Sequence, residues 1–219
     1  MTPRPTAVLF DLDGTIVDSA PGILSTLAYT YEHLRMPVPP VEELMKWIGP
    51  PILESFRDFA GLDEDESRYA LAIYRERYRE VGVFEASAYP GVPEAIRVIQ
   101  RAGLPISLAT SKPESAAHAI LDRIRLSDAF TEITGASEDE TRSDKADVVA
   151  EALRRLAARG VDVRTRPLMI GDRVHDVEGA AEHLVPTIFV GWGYGAPEEA
   201  EGAVAVVETA GELLAALGL

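Results

Sequence analysis

Five residues near the N-terminus, Asp11-Leu12-Asp13-Gly14-Thr15, combine groups that can do chemistry together. They follow the apolar run Ala7-Val8-Leu9-Phe10, which reads as a fully buried strand. In open parallel sheets, ligands bind outside the carboxyl ends of the strands. Two carboxylates two residues apart at such an end can meet in one site. Gly14 permits a tight turn there, and Thr15 can donate to a carboxylate. A strand ending in an Asx-turn uses the same residue types. By average amino-acid usage, however, the full pattern arises in only about one chain in 500 of this length.

Three later segments supply what the first lacks. Ser107-Leu108-Ala109-Thr110-Ser111 ends a strand in two hydroxyls, placed to hydrogen-bond phosphate oxygens. Lys145 begins a helix, where a cation opposes the helix dipole unless it serves another purpose. Gly171-Asp172-Arg173-Val174-His175-Asp176 follows a further strand and offers two more carboxylates. Such hard oxygen ligands suit Mg2+, which binds a few carboxylates together with a substrate phosphate. The chain has 18 Arg but three Lys: Lys46, Lys112 and Lys145. A lysine is thus an unusual choice in this sequence, and its compact charge suits a tetrahedral phosphoryl group. With so few lysines, chance placement remains an equal account of Lys46 and Lys112.

The elements that must hold these residues can be read from the periodicity. After Tyr89-Pro90-Gly91, helices and strands alternate. Helices are predicted at about 93–101, 114–124, 145–158, 175–183 and 210–217, and strands at about 105–110, 131–135, 167–170, 186–190 and 203–207. This rhythm means βαβ units and a doubly wound parallel sheet, the Rossmann-like α/β class. Between the first strand and that break, from Gly22 to Tyr78, apolar residues recur only at helical spacing. The expected organisation is an α/β core of residues 1–17 and 89–219, interrupted by a small helical domain at 18–88.

Composition narrows the function further. The net charge of −15 disfavours partners with phosphate backbones or anionic lipid surfaces, so neither nucleic acid nor membrane is expected. The absence of cysteine excludes disulfides, thiolate metal sites and cysteine nucleophiles. The N-terminal apolar run is too short for a secretory signal, and cytoplasmic location is the default expectation. His33, His118 and His183 are isolated in helical segments, and His175 is read as helix surface near the site. Gly191-Trp192-Gly193-Tyr194-Gly195 lacks the spacing of a dinucleotide fingerprint and is read as a flexible loop beside the site.

Taken in order, Asp11-Leu12-Asp13-Gly14-Thr15, Thr110-Ser111-Lys112-Pro113, Lys145 and Gly171-Asp172 through Asp176 resemble the four motifs of the haloacid dehalogenase superfamily. The nearest likeness is to its phosphoglycolate phosphatase-like branch, which carries a helical cap after the first strand. The resemblance covers essentially the whole chain. It implies a Mg2+-dependent phosphatase of small metabolites in which Asp11 is the nucleophile and forms an aspartyl-phosphate. Asp13 would protonate the leaving oxygen and then activate water. Thr110, Ser111 and Lys145 would hold the phosphoryl group. Mg2+ would be bound by Asp11, the backbone carbonyl of Asp13, Asp172 and Asp176, the last directly or through water. The cap, with hinges near Asp18 and Ala88, would close over the site, and Lys46 or the backbone at Gly49-Pro50 would contact the non-reacting end of the substrate.

The chain departs from many relatives by having Lys145-Ala146-Asp147 where they carry a lysine followed by prolines. Fold and motifs fix the reaction rather than the leaving group. A 5′-nucleotidase or sugar-phosphate phosphatase, a β-phosphoglucomutase-like phosphomutase and a non-catalytic phosphate-binding module remain alternatives. The expected assembly is a monomer or homodimer.

Overall fold

The structure, a computed structural model, describes residues 4–219. The first three residues of the expected core segment lie outside the described residues. In chain order the elements begin with β1 (Ala7–Phe10), β2 (Val17–Asp18), α1 (Ala20–His33), α2 (Val41–Leu44), α3 (Ile52–Asp58) and α4 (Glu64–Glu80). There follow β3 (Ser87–Ala88), α5 (Val92–Arg101), β4 (Ile106–Pro113), α6 (Glu114–Arg123), β5 (Glu132–Ala136) and α7 (Lys145–Ala158). The chain closes with β6 (Pro167–Gly171), α8 (Val174–Ala181), β7 (Thr187–Val190), β8 (Ala205–Val207) and α9 (Ala210–Ala216). It divides into two compact units, Met1–Asp18 with Ala88–Leu219, and Ser19–Ser87.

The larger unit is built on one sheet in the order β5-β4-β1-β6-β7-β8, with every pair parallel. The strand β1 is wholly buried and apolar because it lies in the middle, with Leu9 opposite Ser107 on one side and Met169 on the other. The chain first adds β4 and β5 beside β1, then crosses back to add β6, β7 and β8 on the far side. Connections from β1 and β6 therefore run in opposite directions, which opens a crevice at their carboxyl ends.

Helix α7 makes the crossing. Its residues Val148, Val149, Ala152 and Leu156 recur at helical spacing and pack on Ala7 and Leu9 of β1, Ala109 of β4 and Met169 of β6. The strand β4 runs three residues beyond the expected end at Thr110, and its register with β5 shifts between Ala109 and Pro113. An irregularity of this kind re-aims side chains at a strand end.

The Ser19–Ser87 unit is helical, with an aromatic core. Trp47 meets Phe56 at a ring-centroid distance of 5.0 Å and Tyr31 at 6.0 Å, both edge-on, and Phe56 reaches Tyr74. Helix α4 starts at a reciprocal cap, in which Asp63 accepts from the Glu66 amide and Glu66 accepts from the Asp63 amide. Gly22 on α1 is required by a close approach: a Cβ there would lie 2.1 Å from the Gly82 carbonyl oxygen.

Candidate active site

The turn after β1 sets the first residues of the site. The Asp11 amide donates to the Ile170 carbonyl of β6, so the strand ladder runs up to the residue. The Leu12 carbonyl then accepts from the amides of Ile16 and Val17, closing a tight turn. Gly14 sits in the left-handed region at φ 84°, and a Cβ on it would lie 2.1 Å from Asp172 Oδ2. Within this turn three side chains take three different partners: Asp11 meets Lys145, Asp13 meets Lys112, and Thr15 donates to Asp172 Oδ1 at 3.1 Å.

Lys145 is the hub. Its Nζ lies 2.6 Å from Asp11 Oδ1 and 2.8 Å from Asp176 Oδ1, and it donates to the Ala109 carbonyl at 3.1 Å. The residue is 8% exposed, against the solvent-facing position that an ordinary first-turn lysine takes. Its inward position follows from helical phase. Lys145 stands three and four residues before Val148 and Val149 and seven before Ala152, so it continues the stripe that faces the sheet. Burial works against its charge, but Asp11 and Asp176 outweigh that effect and hold the ammonium above its ordinary range.

The other two acids arrive from the end of β6 and the first turn of α8. Asp176 Oδ2 accepts from the amides of Asp172 and Arg173, both at 3.1 Å, as an acidic residue in a first helical turn is placed to do. Burial pushes Asp176 up to about 6, opposed by Lys145 and reinforced by Asp11. Asp172 is fully buried and is pushed well above the usual carboxylate range by burial, then by the charges of Asp176 and Asp11.

Asp11, Asp172 and Asp176 each offer an oxygen within 4.8 Å of the others. Three carboxylates against one ammonium leave two formal negative charges in a dry site. The raised Asp172 and Asp176 are the physical sign of that excess, and a divalent cation would offset it. The donor set is all hard oxygen, so the residues fit Mg2+. The Asp13 carboxylate is turned instead to Lys112.

Lys112 was left open by the sequence, and the structure makes it part of the site. It is buried, with its Nζ 3.0 Å from Asp13 Oδ2. Asp13 Oδ1 is buried without a hydrogen-bond partner among the described residues. The Lys112 amide donates to Thr110 Oγ1 at 3.3 Å, which leaves the buried Thr110 hydroxyl proton for another acceptor. Ser111 beside it is half-buried. The available signal for Lys112 was the scarcity of lysine in this chain.

The Gly191–Gly195 segment, expected as a loop beside the site, is tied to it by hydrogen bonds. The Trp192 indole donates to the Thr15 carbonyl at 3.1 Å, the Tyr194 amide to Asp172 Oδ2 at 2.8 Å, and the Tyr194 hydroxyl to Asp18 Oδ1 at 2.7 Å. Tyr89 is pushed up to about 12, by burial first, despite a hydrogen bond with Tyr194. His175, expected on the helix surface near the site, is half-buried in α8. Burial, then Arg173 and Lys145, hold its ring below the ordinary histidine range. Lys46 and Gly49 belong to the Ser19–Ser87 unit. Lys46 is exposed on the turn Met45–Trp47, and Gly49 adopts φ 116° just after it.

The arrangement presents a carboxylate fixed beside an ammonium, a second carboxylate with one unpartnered oxygen, and a hydroxyl free to donate. Comparison with known proteins bears on what such a site does. A family model described as "Haloacid dehalogenase-like hydrolase" matches residues 8–190. The tyrosine-protein kinase PtkA of Mycobacterium tuberculosis is 40% identical over 191 residues, which cover 87% of this chain and 64% of that protein. The chain thus spans less than two thirds of the length of that kinase. The 5′-nucleotidase of Pseudomonas aeruginosa is 36% identical over 194 residues, 88% of this chain and 85% of that one. A phosphoglycolate phosphatase of Pseudomonas savastanoi is 29% identical over 219 residues, 96% of this chain and 79% of that one. Among solved structures, a predicted phosphatase from Clostridium acetobutylicum superposes with a TM-score of 0.91 at 34% identity, covering 99% of this chain and all of that one.

Proposed function

Because this chain belongs to the haloacid dehalogenase-like hydrolase family, we propose that it is a Mg2+-dependent phosphatase of small phosphate monoesters, working through an aspartyl-phosphate on Asp11. The observation that carries this reading is the buried Lys145 ammonium bridging Asp11 and Asp176. It orients a nucleophilic carboxylate in a buried site and sets a positive charge beside it, which a purely structural ion pair at a strand end does not require.

In this reading an Asp11 oxygen bonds to phosphorus while the ester oxygen departs, and Asp13 delivers its proton to that oxygen. Asp13, then a carboxylate, takes a proton from water. The water oxygen bonds to phosphorus, the Asp11–phosphorus bond breaks, and inorganic phosphate leaves. Thr110 donates its hydroxyl to a phosphoryl oxygen, with Ser111 beside it, and Lys145 offsets the charge gathered around the transferring group. Asp11, Asp172, Asp176 and the Asp13 carbonyl would hold Mg2+, which supplies charge neutralisation to the phosphoryl oxygens when bound.

Two leaving groups have support. The higher identity with the Pseudomonas aeruginosa enzyme, and the larger share of it that is covered, favour a nucleoside leaving from a 5′-nucleotide, and the similarity to phosphoglycolate phosphatases favours glycolate leaving from phosphoglycolate. The likeness to PtkA raises a tyrosine hydroxyl as an alternative acceptor in place of water. The test is phosphate release from a panel of nucleoside monophosphates, phosphoglycolate, sugar phosphates and p-nitrophenyl phosphate, with Mg2+ and with chelator. Mg2+-dependent release that Asp11→Asn abolishes supports the reading, and the ranking of esters identifies the leaving group. A folded protein that releases phosphate from no ester overturns it. Interconversion of sugar-phosphate isomers in the presence of an added bisphosphate, with no net phosphate release, would mark a mutase, and transfer from ATP to protein tyrosine would mark a kinase.

A further inference from the structure

The Gly191–Gly195 segment follows β7 and holds no group that the proposed reaction uses, yet it is fastened at four points. Its Trp192 indole donates to the Thr15 carbonyl, and its Tyr194 hydroxyl donates to Asp18. The Gly191 amide donates to the Val207 carbonyl of β8, and the Tyr194 amide donates to Asp172 Oδ2. Thr15, itself held by Trp192, donates its hydroxyl to the other Asp172 oxygen. Asp172 is therefore gripped on both oxygens by groups that two aromatic side chains tie together.

The glycines explain how the grip forms. Neither Gly193 nor Gly195 has a positive φ, so backbone conformation does not call for glycine at either place. Space does. A Cβ at 193 would lie 2.3 Å from the Asp172 Cβ, and one at 195 would lie 1.9 Å from the Asp172 carbonyl oxygen. The segment lies directly against Asp172, and a side chain at either position would push the two apart.

We propose that Trp192 and Tyr194 are positioning residues for Asp172: they pin the Gly191–Gly195 segment to the Thr15–Asp18 segment so that the Asp172 carboxylate is oriented for a divalent cation. This rests on the metal reading of the site given above. Each Asp172 oxygen accepts one hydrogen bond here and keeps a further lone pair for a ligand bond. Partners that orient a metal ligand in this way contribute about 10–100-fold to metal affinity. All the contacts lie within the unit formed by Met1–Asp18 and Ala88–Leu219.

The test is calorimetric titration of the substrate-free full chain with Mg2+, alongside thermal unfolding in chelator. The variants are Trp192→Phe, Tyr194→Phe, the double variant and Gly193→Ala. Each of the two single aromatic variants removes one side-chain donor: Tyr194→Phe keeps the ring, and Trp192→Phe keeps an aromatic ring, though a smaller one. The double variant is expected to bind Mg2+ about ten-fold more weakly than the wild type, with the single variants between. Gly193→Ala keeps both aromatic contacts and should weaken Mg2+ as well, by displacing the carboxylate. If the double variant does not fold, Tyr194→Phe and Gly193→Ala decide. Mg2+ affinity within two-fold of wild type in the folded variants overturns the inference, whether or not their unfolding temperature falls. A wild-type chain that binds no Mg2+ overturns the metal reading, and this inference with it.

Discussion

Replacing Lys145 by methionine removes the ammonium while keeping an unbranched side chain, and the structure dictates a large cost. The Nζ lies 2.6 Å from Asp11 and 2.8 Å from Asp176, and the side chains are 6%, 7% and 1% exposed. Breaking a buried pair by removing one partner costs about 3–5 kcal/mol, because the partner charge is left uncompensated. Here two partners are left, with Asp172 close by. For a chain of this size that loss corresponds to a fall in unfolding temperature of about 6–20 °C.

An exposed lysine in a first helical turn would behave in the opposite way. Its removal relieves an unfavourable dipole interaction and is neutral or stabilising by about 0.3–1 kcal/mol. The sign of the change therefore separates the two cases. The assay is urea unfolding in chelator at pH 7.5 for the wild type, Lys145→Met, Asp11→Asn and the double variant. The double variant should recover part of the loss, with a coupling energy of about 1–3 kcal/mol, since Asn leaves one carboxylate fewer to compensate. The deficit of Lys145→Met should also shrink below pH 6, where Asp176 takes up a proton. A Lys145→Met protein within about 0.5 kcal/mol of wild type, or strictly additive variants, would refute the reasoning.

Two further outcomes follow from the same geometry, and a third from the family resemblance alone. The folded-state Asp176 is pushed up to about 6 and Asp172 well above its ordinary value, so between pH 4 and 6 the metal-free fold holds protons that the unfolded chain has released. Metal-free stability should fall as pH rises through that window, while stabilisation by Mg2+ should grow, because the cation needs ionised ligands. Equal Mg2+-induced gains in unfolding temperature at pH 5 and pH 8 would contradict this. Lys112→Met leaves the buried Asp13 without its cation and should lower kcat by about 100-fold on the preferred ester, within the range general acid–base groups contribute. Steady-state kinetics showing unchanged kcat would rule out a part for Lys112 in holding Asp13. Lys46→Ala should lower kcat/KM for the preferred substrate with little change in kcat, and an unchanged kcat/KM would exclude Lys46 as a substrate contact.

Much of the scaffold was legible in the residues. The buried run Ala7–Phe10 and the later alternation of helices and strands imply a parallel sheet, and parallel strands end at one edge. Any acids at those ends are brought near one another whatever the loops do, which is why Asp11, Asp172 and Asp176 could be grouped before their positions were known. The pitch of α7 was legible too. Lys145 shares a stripe with Val148, Val149 and Ala152, a signal of burial stronger than its place at the helix start.

What the residues alone could not decide was who pairs with whom. Lys145 stands 134 positions from Asp11, and Tyr194 stands 176 from Asp18. Lys112 could have met solvent, phosphate or Asp13. Such pairings depend on strand order, on the register shift of β4 beyond Ala109, and on the room that glycines at 14, 193 and 195 leave around Asp172. Local propensity and periodicity act over a few residues and specify elements and their buried faces. Side-chain partners across a sheet edge are set by distances of a few ångströms between segments far apart in sequence, and only the packed tertiary structure determines those.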